Sequence, residues 1–327
     1  MGQAELADPQ IAGSGTVADG GLFGTPLFQD PHARNLARVG VIDIGSNSVR
    51  MVVFDGAARS PAYFYNEKIL CGLGAGFADT GRLSVTGRPR ALAALKRFAA
   101  LAKGMNVTSL VTVATAAMRE AEDGPEFRAE AERETGLTIH VVDGREEARL
   151  SAQGVLLGWP GAYGMICDIG GSSMELAELL GDGQVGARET SDLGPLKLQG
   201  IKGGKQAIKA HIKARIEQLS TQFTRPAGRL FLVGGSWRAI ARIDMERRGY
   251  PLKVLHEYRM TRKDIRATIA YIQSSDLEEL RSRTGTSAER MALVPLASLV
   301  LKELVRSFKP DEVAISSYGI REGLLYE

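Results

Sequence analysis

Two short segments of this sequence share a pattern suited to chemistry. Val41-Ile42-Asp43-Ile44-Gly45-Ser46-Asn47-Ser48 and Met165-Ile166-Cys167-Asp168-Ile169-Gly170-Gly171-Ser172-Ser173 each end an apolar run in Asp-Ile-Gly, followed by small hydroxylated residues. An apolar run bounded by Gly and Ser reads as a buried strand running into a tight turn. Such a turn offers backbone N–H groups and hydroxyls to an anion, and glycine lets the backbone come close. The aspartate cannot hold an anion itself, because like charges repel. Beside a phosphate its natural partner is a divalent cation such as Mg²⁺. Two copies facing each other would place Asp43, Asp168 and both turns around one cleft that holds phosphate and a cation. A third turn, Gly234-Gly235-Ser236, opens a helix whose N-terminal amides suit a further phosphate. One Gly-Ser turn alone is an ordinary connection; three, two of them preceded by Asp, make a pattern.

Several charged residues fall where they could serve such a cleft. Glu147 starts a helix between the two Asp-Ile-Gly turns, where a carboxylate could orient and deprotonate a water aimed at a terminal phosphate. Its neighbour Glu146 lies about 100° away around the helix, so only one of the two can face a given cleft. The plainer alternative is a solvated face with a Glu146–Arg149 pair. Glu175 follows Asp168 on the next strand and either joins the cation site or is a charge on an exposed edge. Arg50 and Arg119 stand just past strands that point toward the same cleft, and arginine's planar fork suits phosphate. Lys197, Lys202, Lys205, Lys209, Lys213 and Arg215 form a basic run with no acidic residue between them. It is either a solvated helix face or a track for a polyanion. The four histidines have no metal-ligand spacing, and there is no Walker A loop, Gly-x-Ser-x-Gly elbow or dinucleotide fingerprint.

The elements that must position these residues alternate between strand and helix, an α/β pattern. Strands are expected at 39–44, 49–54, 109–114, 137–142, 163–167, 174–180, 229–233 and 312–316. Helices are expected at 88–103, 126–135, 145–154, 205–223, 236–247, 262–274, 289–307 and 320–326, with a glycine-rich loop over Cys71–Gly76. The second half repeats the theme of the first, as an internal duplication would. Residues 1–37 are rich in Gly, Ala, Asp and Pro without an apolar period and read as a flexible tail. The chain has 327 residues, enough for two domains, with ordinary globular fractions of 44% hydrophobic and 24% charged residues. Two distant cysteines give no disulfide framework and fit a reducing cytoplasm. No stretch approaches the roughly 18 apolar residues that would span a membrane. The net charge of +3 is too small to suggest a nucleic-acid partner.

Taken together the segments resemble the exopolyphosphatase/guanosine pentaphosphate phosphohydrolase (Ppx/GppA) family, within the actin-like and sugar-kinase ATPase superfamily. The resemblance covers nearly all of residues 38–327, and its carriers are Asp43–Ser48, Ala114-Thr115-Ala116-Ala117-Met118-Arg119, Gly144–Leu150, Asp168–Ser173, Val233–Ser236 and Ser316–Gly323. The resemblance implies two ribonuclease-H-like domains flanking a cleft, expected as 38–144 plus 310–327 and 145–309. It implies a phosphoanhydride hydrolase that releases terminal orthophosphate from polyphosphate or guanosine pentaphosphate with Mg²⁺ or another divalent cation. Glu147 matches the family's catalytic base, Asp168 and Glu175 its acidic metal-site residues, and Arg119 its substrate-binding arginine. Arg50 falls where some members bind guanosine polyphosphate, and Arg290 matches another family arginine. Asp43 joins the expected metal set, and a homodimer is the expected assembly. Ser172 and Met174 depart from the family's Asp-x-Gly-Gly-Gly-Ser-Thr-Glu loop. The sequence shows no segment matching the helical domain, similar to the HD phosphohydrolases, with which long members continue. The alternatives left open are a small-molecule kinase of the same superfamily and a non-catalytic binder of guanosine polyphosphates.

Overall fold

A computed structural model of the chain describes residues 38–55, 62–223 and 228–326, so the expected tail at 1–37 lies outside the described residues. The apolar runs form strands as anticipated. In chain order these are β1 (Arg38–Ile44), β2 (Ser48–Asp55), β3 (Tyr63–Leu70), β4 (Ser109–Ala114) and β5 (Ile139–Val141). They continue with β6 (Tyr163–Ile169), β7 (Met174–Leu180), β8 (Val185–Ser191), β9 (Arg229–Val233), β10 (Arg259–Met260) and β11 (Glu312–Ser316).

Two sheets result, ordered β3-β2-β1-β4-β5 and β10-β11-β9-β6-β7-β8. In the first, β1, β2 and β3 are antiparallel in turn, and β1, β4 and β5 run parallel. The second repeats this with β6, β7 and β8 antiparallel and β6, β9 and β11 parallel, then adds β10 at the edge. This is the ribonuclease-H-like arrangement, present twice. The duplication reaches register: Asp43 stands opposite Arg50, and Asp168 stands opposite Glu175. Both turns close with the same bond, Gly45 N to Ser48 O and Gly170 N to Ser173 O, each 3.0 Å.

Each sheet buries both faces. Ile42, Ile44 and Met51 pack under the Gly87–Gly104 and Gly124–Thr135 helices, through Leu95, Phe98 and Phe127. In the second sheet Met165, Cys167, Leu230 and Ile315 pack against Trp237, Ile265 and Leu301 of three helices. Trp237 is fully buried, and its indole N–H donates to the Cys167 carbonyl at 3.1 Å. Among the described residues no helix is long and apolar enough to cross a membrane.

The inner faces are covered by an exchange. The Gly144–Gly158 helix leaves β5 of the first sheet but lays Ala148, Ala152 and Val155 on Ile166, Phe231 and Ala314 of the second. The Ile320–Gly323 helix leaves β11 of the second sheet, and Ile320 and Leu324 reach Val113 and Val52 of the first. The two helices cross through glycine. A Cβ on Gly154 would lie 2.1 Å from the Gly319 carbonyl oxygen, and one on Gly323 would lie 1.9 Å from that of Leu150.

The segment 310–327, expected to belong with 38–144, is therefore divided. β11 joins the second sheet, where its pairing with β9 buries Val313 and Ile315 completely. Only the helix after it packs toward the first sheet. The helix expected at 289–307 is two, Ala288–Met291 and Val294–Phe308, with Pro295 in the first turn of the second, a position where proline's missing N–H costs nothing.

The crossing gives a stability prediction. Gly154→Ala forces a methyl group into a backbone carbonyl, and overpacking of this kind costs about 1–3 kcal/mol. Gly104→Ala meets nothing within 4 Å and serves as the control. In thermal and denaturant unfolding Gly154→Ala should lower stability while Gly104→Ala should not; equal effects would refute the close crossing.

Candidate active site

The repeated turns face one another. A Cβ on Gly171 would sit 3.1 Å from the Ser46 Cβ, which puts the two Asp-Ile-Gly turns in van der Waals range. The glycine-rich loop braces the first turn: Cys71 N and Gly72 N each donate to Asn47 O at 3.0 Å, and Gly74 N donates to Ser46 O at 2.7 Å. The third turn closes the site from above. Gly234 has φ 116°, and a Cβ there would meet the Ile169 carbonyl oxygen at 2.5 Å, so only glycine fits. Between these turns lies a cavity of about 510 Å³, lined by Asp43, Gly45, Ser46, Asn47, Ser48, Gly170, Gly171, Ser173, Gly234, Gly235 and Ser236.

One end of the cavity is acidic. Glu147 lines it from the first turn of the Gly144–Gly158 helix, which Asp143 caps by accepting from Glu146 N at 2.8 Å. Glu147 is 8% exposed, and its Oε2 accepts from Arg119 Nη1 at 3.1 Å. Arg119 also donates to the Val142 carbonyl at 2.9 Å, which fixes its direction. Burial pushes the Glu147 carboxyl up to about 8, against the pull of Arg119. Glu146 points elsewhere and pairs with Arg149 at 2.6 Å, so one glutamate faces the cleft, as the helical geometry requires. Asp168 lines the cavity and accepts from Ser151 Oγ at 2.5 Å. Burial raises its pKa, while the Ser151 hydroxyl and the nearby Arg238 and Arg321 lower it.

The remaining wall is cationic. Arg50, Lys68, Arg238, Arg290 and Arg321 all line the same cavity. The Arg50 Nε donates to Asn66 at 2.8 Å. The Arg290 guanidinium lies against Gly235, where a Cβ would meet it at 2.7 Å. Among the described residues Lys68, Arg238 and Arg290 have no carboxylate partner. Burial, with Arg290, Arg50, Arg238 and Arg321 around it, holds Lys68 down to about 8. Burial and Arg321, Arg290 and Arg50 bring Arg238 down to about 10. Cations that lack a carboxylate partner repel one another, and an anion of several charges would relieve that repulsion.

Comparison with known proteins shows the family. The sequence profile of the Ppx/GppA phosphatase family matches residues 37–327. The chain belongs to the Ppx/GppA phosphatase family. It is 25% identical to Exopolyphosphatase 2 of Mycobacterium tuberculosis over 328 residues, 88% of this chain and 98% of that one. It is 23% identical to Exopolyphosphatase 1 of the same organism over 304 residues, 88% and 87% of the two chains. An exopolyphosphatase structure from Cytophaga hutchinsonii superposes with a TM-score of 0.80 at 21% identity, covering 88% of this chain and 96% of that one. An Aquifex aeolicus Ppx/GppA family member superposes with a TM-score of 0.72 at 25% identity, covering 88% and 96%.

In this Ppx/GppA phosphatase the basic run from Lys197 to Arg215 and three of the candidate catalytic and binding residues stand outside the cavity lining. Arg119 acts on Glu147 from behind. Ser172 is 2% exposed beneath its turn, and Glu175 is fully buried. Glu175 accepts from Thr190 Oγ1 at 2.9 Å, and burial, with Glu147 and Asp168 close by, pushes its pKa well up. The expected metal set of Asp43, Asp168 and Glu175 does not assemble. No group of three or more His, Cys, Asp or Glu among the described residues is placed to hold a metal ion, and Asp43 is already paired with Arg321 at 2.8 Å. The donors therefore do not fit a cation held by the protein alone. The sequence reading gave no role to Lys68, Arg238 or Arg321. Arg238 carried a usable signal, since it lies in the first turn of the helix that Gly234-Gly235-Ser236 opens.

Removing one cation tests the wall. Arg238→Met should raise the unliganded melting temperature at low salt by about 2 °C or more, through relief of repulsion. It should also shrink the further rise caused by inorganic triphosphate. A variant that melts lower and gains as much from triphosphate as the wild type would refute the reading.

Proposed function

We propose that this phosphatase hydrolyses the terminal phosphoanhydride of inorganic polyphosphate, with Glu147 as the base that activates water. The observation that carries this is a buried carboxylate, tuned to about 8 and gripped by Arg119, facing a cavity whose other wall gathers cations. The names of the mycobacterial relatives point to the same substrate. Water attacks the terminal phosphorus, its proton passes to a Glu147 oxygen, and the bridging P–O bond breaks. Orthophosphate leaves, and the chain is one unit shorter. The amides and hydroxyls of the Gly45–Ser48 and Gly170–Ser173 turns, with the cationic wall, stabilise charge on the transferring phosphoryl group, the largest contribution in such reactions. Magnesium enters in this reading as the counter-ion of the polyphosphate, with Asp168 as the carboxylate it meets; Mg²⁺ is commonly held by one or two carboxylates plus substrate phosphates. Guanosine pentaphosphate offers the same terminal anhydride. Tyr63, 44% exposed beside Arg50 and Asn66 on the cavity wall, supports it as a second substrate by offering a flat surface to a base.

Phosphate release from both substrates tests the proposal directly. Glu147→Gln should lower kcat by about 10³-fold with substrate binding retained; an active variant would remove Glu147 from the role. Glu147 must be deprotonated to accept a proton, so kcat/KM should climb as pH rises through about 8 and level off above it. Arg119 lowers that value, so Arg119→Met should move the climb to higher pH. A profile flat from about pH 6 to about pH 9 would count against a carboxylate base. Asp168→Asn should raise the Mg²⁺ concentration needed for half-maximal rate.

A further inference from the structure

Arg321 sits where the two halves of the site meet. It is carried by the short Ile320–Gly323 helix, which leaves the second sheet and reaches back to the first. Its Nη1 donates to Asp43 Oδ2 at 2.8 Å, and the two side chains are 13% and 17% exposed. Asp43 is its only hydrogen-bond or ion-pair partner among the described residues. A guanidinium has five N–H donors, and here one contact engages a single nitrogen. The Nε is buried with no partner at all. A salt bridge built only for stability would leave fewer donors unsatisfied, because a buried orphan donor costs free energy. Arg321 also lines the cavity and shapes the field at Arg50, Lys68, Asp168 and Arg238.

The pairing also changes what Asp43 can do. A cation within coordinating range of that carboxylate would stand a few ångströms from a guanidinium, and like charges so close repel strongly. We propose that Arg321 contacts the transferring phosphoryl group through its Nη2, and that Asp43 is the positioning residue that aims it rather than a cation ligand. This rests on the polyphosphate reading above. The guanidinium supplies fixed positive charge between the two Asp-Ile-Gly turns, and its planar fork suits phosphate oxygens. Asp43 holds Nη1, the buried Nε is closed to a ligand, and Nη2 is the nitrogen left to meet the cavity.

The test uses Asp43→Asn, Arg321→Met, Arg321→Lys and the Asp43→Asn/Arg321→Met pair, each checked by circular dichroism. Kinetics on polyphosphate are measured across a Mg²⁺ titration. The melting-temperature rise caused by inorganic triphosphate is measured in EDTA, which reads binding without cation or turnover. Each single change should lower kcat/KM by about 100-fold, and the pair should be no worse than Arg321→Met, since both remove one interaction. Arg321→Lys keeps the charge but not the fork, and should not restore the rate. The triphosphate-induced rise should fall by half or more in Asp43→Asn and in Arg321→Met, and the half-saturating Mg²⁺ concentration in Asp43→Asn should stay within about twofold of wild type. Wild-type kcat/KM in Arg321→Met or Arg321→Lys, losses that multiply in the pair, or a tenfold higher Mg²⁺ requirement in Asp43→Asn would each overturn the proposal. Should Arg321→Met fail to fold, Arg321→Lys carries the decision. Should the wild type release no phosphate, the polyphosphate reading fails by itself. The triphosphate shift in EDTA then decides, and an undiminished shift in the Arg321 variants overturns the role proposed for Arg321.

Discussion

The constraint on which the rest of the structure depends is the contact of bare backbone between two crossing helices. Gly154 meets the Gly319 carbonyl, and Gly323 meets that of Leu150. Because no side chain stands between them, each helix reaches across and covers the sheet opposite the one it came from. The exchange has a chemical result. The Gly144–Gly158 helix brings Glu147 toward Asp168, and the Ile320–Gly323 helix brings Arg321 to Asp43. Neither half of the duplicated fold holds its own charged residues alone. Thicker residues at the crossing would separate the helices and with them the groups each delivers.

A second theme is that the duplication preserved geometry while the charges diverged. Asp43 and Asp168 occupy equivalent places, and both turns close with equal bonds. The residue opposite is Arg50 in one half and Glu175 in the other. Arg50 belongs to the cationic wall, whereas Glu175 lies buried beneath the acidic end and keeps company with Glu147. The cavity is therefore polar along its length. Cationic and acidic side chains thus line one cavity.

Much of this was legible in the residues. Apolar runs ending in Asp-Ile-Gly specify buried strands and turns because burial and glycine's freedom act locally, and the parallel strands appeared where expected. Helical geometry alone required that only one of Glu146 and Glu147 face the cleft, and the structure places Glu147 there. β3 and β8 were not anticipated. Their burial alternates or stays intermediate, so their pattern is set by the neighbouring strand and not by an apolar run of their own. Lys68 was lost with β3. The partnership of Arg321 and Asp43 joins residues at opposite ends of the described chain, and only the helix crossing creates it. Sequence spacing holds no record of such a meeting. The same is true of the division of 310–327, where one segment serves both sheets.

β3 carries one more consequence. It is the last strand of the first sheet among the described residues, and it exposes Tyr63, Phe64 and Leu70. A long free edge with aromatic residues can template pairing with another molecule. Glu67 and Lys68 interrupt that edge with charge, the usual protection against self-association. Lys68 thus has two settings on one strand: it lines the cavity among the other cations, and it puts a charge on an otherwise aromatic edge.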